Sequence, residues 1–421
     1  MSERLYYSDS FLRSFTAKVA DTRRRARADD EPFWQLSLDR SAFYPTSGGQ
    51  PFDTGLLTAK SPAGSLLEVR VEEVEEDEQG QVWHLVREPL AIGTDIQASI
   101  DWERRFDHMQ QHTGQHLLSA VFLRELNAPT VSFHLGETTA TIDLACAPPA
   151  RHSLERIERI ANEIIGEDRR VAPLFVERRE AEELLAAGKL RKLPERDGTI
   201  RLIEIADCDL NACGGTHVKS TGQIGGLLLR GTEKVSRGVR IEFVCGLRAV
   251  KAARRDFAIL TETGALLSSG AADLPALVSR MQTDAKAAAR ERQKLREELA
   301  GFEATSLAKE APIANGLRLV EHSWKDRDRD YLRLLASRVA AATPATAVIF
   351  IARESDPARI FLARSKDLSF DCGRILREAL ASFGLRGGGS PDLAQGDVPF
   401  QHEETLRSSL RGAILGVTAA H

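Results

Sequence analysis

The hydrophobic rhythm of the chain changes along its length and divides it into four stretches. Over residues 1–95, apolar residues come in short runs with a period near two. Examples are Trp34-Gln35-Leu36-Ser37-Leu38, Leu66-Leu67-Glu68-Val69-Arg70-Val71 and Val82-Trp83-His84-Leu85-Val86. Polar or Gly/Pro stretches separate these runs, which predicts strands and turns, hence a small β-barrel or meander. Within it, Asp21–Pro32, with Arg23, Arg24, Arg25 and Arg27, is expected as a solvated loop whose arginines are candidates for touching RNA. The acidic run Glu72–Glu78 is expected as a solvated turn. Residues 96–250 mix both periods. Leu117, Leu118, Val121, Phe122 and Leu126 recur at helical spacing and predict a helix over 103–126. A second helix is expected over 153–165, with Ser153 as its N-cap, and strands over 139–144, 200–205 and 240–244.

Residues 251–312 are nearly all helical in pattern. Leu274, Val278, Met281, Ala285, Ala288, Leu295, Leu299 and Phe302 alternate spacings of four and three, with Arg292 the exception in that register. Such a seam suits an intramolecular hairpin, with a helix over 254–268 as partner, or a homodimer through this stalk or the C-terminal domain. Residues 313–421 read as an α/β unit: a helix over 328–342, strands over 347–352 and 360–364, a helix over 372–383, a Gly-rich loop over 387–396 and a last helix over 402–415. The expected fold class is therefore α+β multidomain. Its parts are an N-terminal small β-barrel, an α+β domain, a helical stalk and a C-terminal α/β domain.

Composition narrows this picture. A length of 421 residues suits two to four domains, and 42% hydrophobic with 28% charged residues is ordinary for a soluble folded protein. No apolar run reaches the ~18 residues of a membrane helix, and the N-terminus has no leader-like segment, so a cytoplasmic protein without a membrane partner is expected. Cys146, Cys208, Cys213, Cys245 and Cys372 are odd in number and irregularly spaced, unlike a disulfide framework. A net charge of −4 argues against a sequence-blind nucleic-acid coat protein, but leaves room for a structured RNA held on local basic patches.

Candidate chemistry concentrates in two places. Asp107-His108-Met109-Gln110-Gln111-His112-Thr113-Gly114-Gln115-His116 puts three histidines on one helix face. Two of them one turn apart can chelate one ion. His108 and His116 would lie about 12 Å apart along the axis, so all three do not share it. The second place is Cys213-Gly214-Gly215-Thr216-His217. A thiolate plus an imidazole has the softness that Zn²⁺ prefers, and the two glycines allow the sharp turn that aims both ligands at one point. Together His112, His116, Cys213 and His217 form a candidate His₃Cys zinc set. The plainer alternative is a buried structural thiol and helix-surface histidines.

Four segments then carry a resemblance. His112-x-x-x-His116-Leu117-Leu118-Ser119-Ala120 and Cys213-Gly214-Gly215-Thr216-His217-Val218 resemble the paired signatures of the editing domain of alanyl-tRNA synthetase. Phe43-Tyr44-Pro45, Gly48-Gly49-Gln50 and Asp53-Thr54-Gly55 resemble the segment that precedes it. Arg386-Gly387-Gly388-Gly389-Ser390-Pro391-Asp392 resembles the Gly-rich signature of that synthetase's C-terminal domain, with Ser390 where the family often has Arg. The Phe-Tyr-Pro segment begins at residue 43, so the aminoacylation and tRNA-recognition domains that precede it in the synthetase are not expected here. The chain thus resembles the free-standing alanyl-tRNA editing proteins of the AlaX type, in their long form.

The resemblance implies a hydrolase that deacylates mischarged tRNA(Ala), mainly Ser-tRNA(Ala) and also Gly-tRNA(Ala). An alanine site rejects neighbours of such similar size by only ~1–3 kcal/mol, so a second sieve is needed. Zinc would activate a water, or orient the substrate through its amino group or ester carbonyl. Four protein ligands at once would close a tetrahedral site, which is the structural arrangement, and the sequence leaves these alternatives open. Substrate-binding candidates are Gly48, Gly49 and Gln50, whose amides could serve a seryl hydroxyl, together with Thr113 and His134. The alternatives are a tight turn, a helix residue pointing away, and a core or surface histidine. His108 is expected as a supporting or structural residue. Arg386, Gly387, Gly388 and Gly389 are candidates for tRNA contact through exposed backbone amides. The competing function is a non-catalytic, zinc-stabilised tRNA-binding protein.

Overall fold

The structure is a computed structural model that describes residues 2–25, 33–60, 64–194, 198–314 and 316–418. It divides into two compact units, Met1–Thr263 and Gly264–His421.

The first unit opens with seven strands: β1 (Ser14–Arg25), β2 (Phe33–Leu38), β3 (Gly55–Lys60), β4 (Leu66–Val71), β5 (Glu73–Glu76), β6 (Val82–Val86) and β7 (Asp95–Ile100). They form one antiparallel sheet in the order β4-β3-β7-β1-β2-β6-β5. Its edge strands β4 and β5 are joined through the single residue Glu72, so the sheet curls until its edges come near each other. No strand pairing closes it among the described residues, so it is an open curl rather than a closed barrel. Period-two burial is clean: Phe15, Ala17 and Val19 point inward, with Leu36, Leu57, Val71 and Val82 in the same core.

Two expected loops are strands instead. Residues 21–25 continue β1 and pair with β2, Arg25 opposite Phe33. Arg23 lies over the Trp83 ring at 4.2 Å, and Arg25 pairs with Glu75. Charge and arginine content hid a strand whose outward side chains find partners on the sheet surface. Arg27 and the rest of 26–32 lie outside the described residues. The acidic run contains edge strand β5, whose Val74 is fully buried.

Next comes helix α1 (Trp102–Leu126), capped by Asp101, whose side chain accepts from the Arg104 N–H. It packs on the sheet β8 (Thr130–Leu135), β9 (Ala140–Leu144), β14 (Gly238–Cys245) and β13 (Leu227–Val235), adjacent in that order. Between them in sequence run α2 (Arg151–Gly166), β10 (Val171–Val176), α3 (Arg178–Ala186), β11 (Ile200–Ile205) and β12 (Asp209–Ala212), with β10-β11-β12 a separate sheet. Helix α2 begins at Arg151 after Ala150, so Ser153 lies in its first turn and is not the cap.

The regions expected as separate domains, 1–95 and 96–250, share one unit because buried polar groups tie them together. Arg105 is fully buried. Its Nε donates to Asp53 at 3.0 and 3.1 Å, and its other nitrogens donate to the Ser10 and Ala42 carbonyls. Removing one partner of such a pair would leave an uncompensated charge, at roughly 3–5 kcal/mol. Arg201 likewise donates to the Tyr7 carbonyl at 2.9 Å and to the Cys213 carbonyl at 2.6 Å. Helix α4 (Gly246–Leu266) crosses the division between units.

In the second unit, α5 (Leu274–Glu310) buries Ala300, Ala304 and Ala308, the first two in one core with Leu332, Leu335 and Val339 of α6 (Arg329–Ala342). Small residues every four positions let the two helices approach closely. This face is offset from the expected seam, whose Val278, Met281, Leu295, Leu299 and Phe302 are exposed. The sheet runs β15 (Ile313–Ala314), β16 (Leu317–Trp324), β17 (Thr346–Ala352), β18 (Ala358–Arg364), β20 (Leu393–Val398) and β19 (Gly387–Gly389) in spatial order. Among the described residues of this sheet, β16 and β17 alone pair in parallel, as the α6 crossover between them allows. Helices α7 (Cys372–Ala381) and α8 (Phe400–Thr418) complete the unit. The expected Gly-rich loop is largely the β19–β20 hairpin. Among the described residues, no helix is long and apolar enough to cross a membrane.

Candidate metal centre

Helix α1 carries His112 and His116 one turn apart, with ring centroids 5.3 Å from each other. The opposing ligands follow strand β12, where Arg201 gathers the carbonyls of Cys213 and Gly215 and bends the loop toward α1. Gly215 is obligatory at this approach. A Cβ there would lie 2.2 Å from His112 Cε1 and 3.0 Å from Gln50 Oε1. The His217 ring sits 4.5 Å from that of His112 and 4.9 Å from that of His116. Cys213 Sγ is 3.5 Å from His112 Nε2 and 3.3 Å from His217 Nε2. One donor atom from each of His112, His116, Cys213 and His217 lies within 4.8 Å of all the others. Tetrahedral zinc with bonds of about 2.0–2.3 Å needs donors about 3.3–3.8 Å apart, so the set can hold such an ion after small adjustments.

Each imidazole is also held from behind. His112 Nδ1 faces Gln50 Oε1 at 2.8 Å, His116 Nδ1 faces Asp209 Oδ2 at 3.3 Å, and His217 Nδ1 faces Thr113 Oγ1 at 3.1 Å. This is the outer arrangement that orients metal-binding histidines and leaves Nε2 for the ion. Burial would push the Cys213 thiol up, but His112 and His217 bring it well below the ordinary thiol value. Burial opposes a charge on His116, yet its bonds to Asp209 and Cys213 raise it to about 9. His217 is held down to about 3 by burial, against the pull of Cys213. A half-buried thiol that ionises readily, beside three buried and pre-aimed imidazoles, is a donor set for a borderline-soft dication.

The expected substrate residues fall in different places. Gly48 and Gly49 form an exposed turn with positive φ, +55° and +83°. The turn lies against β8: the Leu135 N–H donates to the Gly49 carbonyl at 3.1 Å, and a Cβ on Gly49 would meet the Phe133 carbonyl oxygen at 2.7 Å. Gln50 is fully buried, and both ends of its amide bond to protein groups, so it is not free to read a seryl hydroxyl. Thr113 is buried too and faces the ligand loop, where Oγ1 also accepts from the Val218 N–H at 3.2 Å. One residue along a helix is a 100° turn, which carries Thr113 from the His112 face to the His217 side. His134 is exposed, because strand pleating puts it on the face opposite Phe133. Phe133 is the one at the centre, its ring stacked on His112 at 5.3 Å and 23°. Sequence reasoning missed it, although its alternation with His134 in β8 was a usable signal. It also missed Asp209 and Arg201. His108 is buried, its Nδ1 without a hydrogen-bond partner among the described residues, and burial beside Arg104 and Arg248 holds it down to about 3.

Arg386 is exposed in the second unit, just before β19. The glycines after it serve packing: a Cβ on Gly387 would lie 2.3 Å from Leu380 Cδ1, and on Gly389 2.3 Å from the Leu393 carbonyl oxygen. Ser390 turns the hairpin, its Oγ accepting from the Leu393 N–H at 3.2 Å.

Comparison with known proteins places these features in context. The family described as the threonyl and alanyl tRNA synthetase second additional domain matches residues 200–242, and class II (A) tRNA synthetases match residues 1–104. The alanyl-tRNA editing protein AlaX-L of Pyrococcus horikoshii is 30% identical over 420 residues, covering 97% of this chain and 98% of that protein. The alanine–tRNA ligase of Pyrococcus abyssi is 32% identical over 404 residues, covering 94% of this chain but only 42% of the ligase. Among solved structures, the C-Ala domain of Aquifex aeolicus alanyl-tRNA synthetase matches at 21% identity with a TM-score of 0.22, covering 24% of this chain and 96% of that domain.

Proposed function

This chain belongs to the alanyl-tRNA editing protein family, and from that premise we propose that it is a trans-acting hydrolase of mischarged tRNA(Ala). Its main substrate is Ser-tRNA(Ala), with Gly-tRNA(Ala) as a second. The observation that carries the reading is the meeting of buried His112, His116 and His217 with half-buried Cys213, each imidazole aimed by a partner on Nδ1. These four side chains would hold zinc, which when bound supplies a Lewis acid to ester hydrolysis. The chain's own residues do the rest. The exposed Gly48–Gly49 turn has no Cβ to keep an aminoacyl group from its backbone, and Phe133, half-buried beside His112, supplies an apolar wall. Residues 313–421, with Arg386 and the Gly387–Gly389 strand, bind the tRNA and leave the chemistry to the first unit. The setting is the cytoplasm.

The test is deacylation of Ser-tRNA(Ala) by the zinc-loaded full chain, beside Ala-tRNA(Ala) as the substrate to be spared. Release of serine much faster than alanine supports the reading. Tight tRNA binding without release of serine would instead make the chain a zinc-stabilised tRNA-binding protein.

A further inference from the structure

We infer that Gln50, delivered from the N-terminal sheet region, is a positioning residue of the metal centre: it fixes the proton of His112 on Nδ1 and so keeps Nε2 free for the ion. The inference rests on the metal reading of the four-donor cluster. The orientation of the Gln50 amide follows from the backbone. The Thr216 N–H can only donate, and it lies 3.1 Å from one end of the amide, so that end is the oxygen. The other end, Nε2, then donates to Thr216 Oγ1 at 2.8 Å. The same oxygen lies 2.8 Å from His112 Nδ1. An oxygen cannot donate, so Nδ1 must carry the hydrogen. A single amide thereby sets the tautomer of one candidate ligand and ties the helix bearing His112 to the loop bearing Cys213 and His217.

Gln50 is itself held rigidly. Its backbone exchanges two hydrogen bonds with Ser47, at 3.1 and 2.9 Å. Three residues on, Asp53 accepts from the Tyr44 N–H at 2.6 Å and from buried Arg105. Arg105 and His112 are seven residues apart, two turns along one face of α1. The helix therefore grips the 44–53 segment at two points, one an ion pair and the other the imidazole at the metal centre. Complete burial of Gln50 shields this bond from competing water.

The test reads metal binding in the full-length protein without tRNA. Zinc affinity is measured by competition with a chromophoric chelator, and geometry by the visible spectrum of the Co²⁺-loaded protein. Gln50→Met removes the acceptor at similar length. It is expected to weaken zinc binding about 10–100-fold and to alter the cobalt spectrum. Gln50→Glu keeps an oxygen facing Nδ1 and should restore both. A Gln50→Met protein with the parent's affinity and spectrum overturns the proposal. Should that variant fail to fold, nitrogen-resolved NMR of the zinc-free parent decides: His112 protonated and exchange-protected on Nδ1 supports the proposal, and protonation on Nε2 overturns it. Because no measurement involves tRNA, absence of deacylase activity with these metal effects intact would refute the hydrolase reading alone.

Discussion

Two glycine-rich segments of this molecule, around Gly48–Gly49 and around Gly387–Gly389, look alike in composition and differ in what glycine does. In the first, positive φ makes a turn that stays exposed, and Gly49 lies against the Phe133 backbone. The turn hands the next residue, Gln50, into the interior beside His112. In the second, the backbone is extended and pairs with residues 394–396, and the missing side chains make room for Leu380 and for the neighbouring strand. Glycine thus serves a site in one region and close sheet-and-helix packing in the other. Neighbouring atoms, not the motif, tell the two apart.

The sharpest way to extend the first pattern is Gly215→Ala. Its methyl group would fall 2.2 Å from the His112 ring. Zinc affinity of the purified folded protein should fall about 100-fold, with deacylation of Ser-tRNA(Ala) lost alongside. Normal zinc binding would show that the loop has slack the geometry denies. The next effect tests the sheet that carries the first turn. Fully buried His84 donates from Nδ1 to the Leu36 carbonyl and meets Ser41 Oγ at Nε2, 2.7 Å away, and burial holds its pKa down to about 4. The unfolded histidine titrates near 6.5, so the unfolded chain takes up a proton first as pH falls. The stabilisation is complete above pH ~6.5 and is lost between ~6.5 and ~4, a change of about 3 kcal/mol. Urea unfolding followed by exchange of β2 and β6 amides should show this slope, and His84→Gln should flatten it.

A smaller effect is expected from Gly49→Val. A β-branched residue at φ +83° against Phe133 should destabilise the first unit by about 1–3 kcal/mol. It should also lower kcat/KM for Ser-tRNA(Ala), while zinc content stays normal. Unchanged kinetics would remove the turn from the substrate path. The smallest effects belong to the second segment. Arg386→Ala should raise KM for Ser-tRNA(Ala) about threefold with kcat unchanged. Gly388→Ala should do almost nothing to stability, because its Cβ would meet only Arg377 at 3.8 Å.

The same contrast explains what was legible in the sequence. The four candidate ligands fall into two local patterns, His112-x-x-x-His116 and Cys213-x-x-x-His217, and helical spacing or a glycine turn is enough to see each pair. Their supports are not local. Gln50, Thr113 and Asp209 sit 62, 104 and 93 positions from the histidines they hold, and no periodicity encodes such pairings. Helix α1 was visible through its apolar repeat, whereas β5 was not, because its one inward residue, Val74, is surrounded by glutamates. At β8 the alternation of Phe133 and His134 is readable, but which of the two faces the sheet turns toward the cluster depends on partners distant in sequence. Gly387–Gly389 read as a loop because glycine composition cannot distinguish a turn from a strand stripped of side chains for packing.

The grip of α1 on residues 44–53 also bears on how the protein is made. Chains emerge from ribosomes at roughly 5–20 residues per second, so Thr216 and His217 follow Gln50 by roughly ten to thirty seconds. During that interval the sheet region and helix α1 can already dock through Asp53 and Arg105. The nascent chain then offers His112 and His116 alone, a weak two-nitrogen chelate, with Gln50 in place beside an empty seat for Thr216. Arrival of the Cys213–His217 loop completes the four-donor cluster, so an ion that needs all four side chains would be bound only after the N-terminal half has been made.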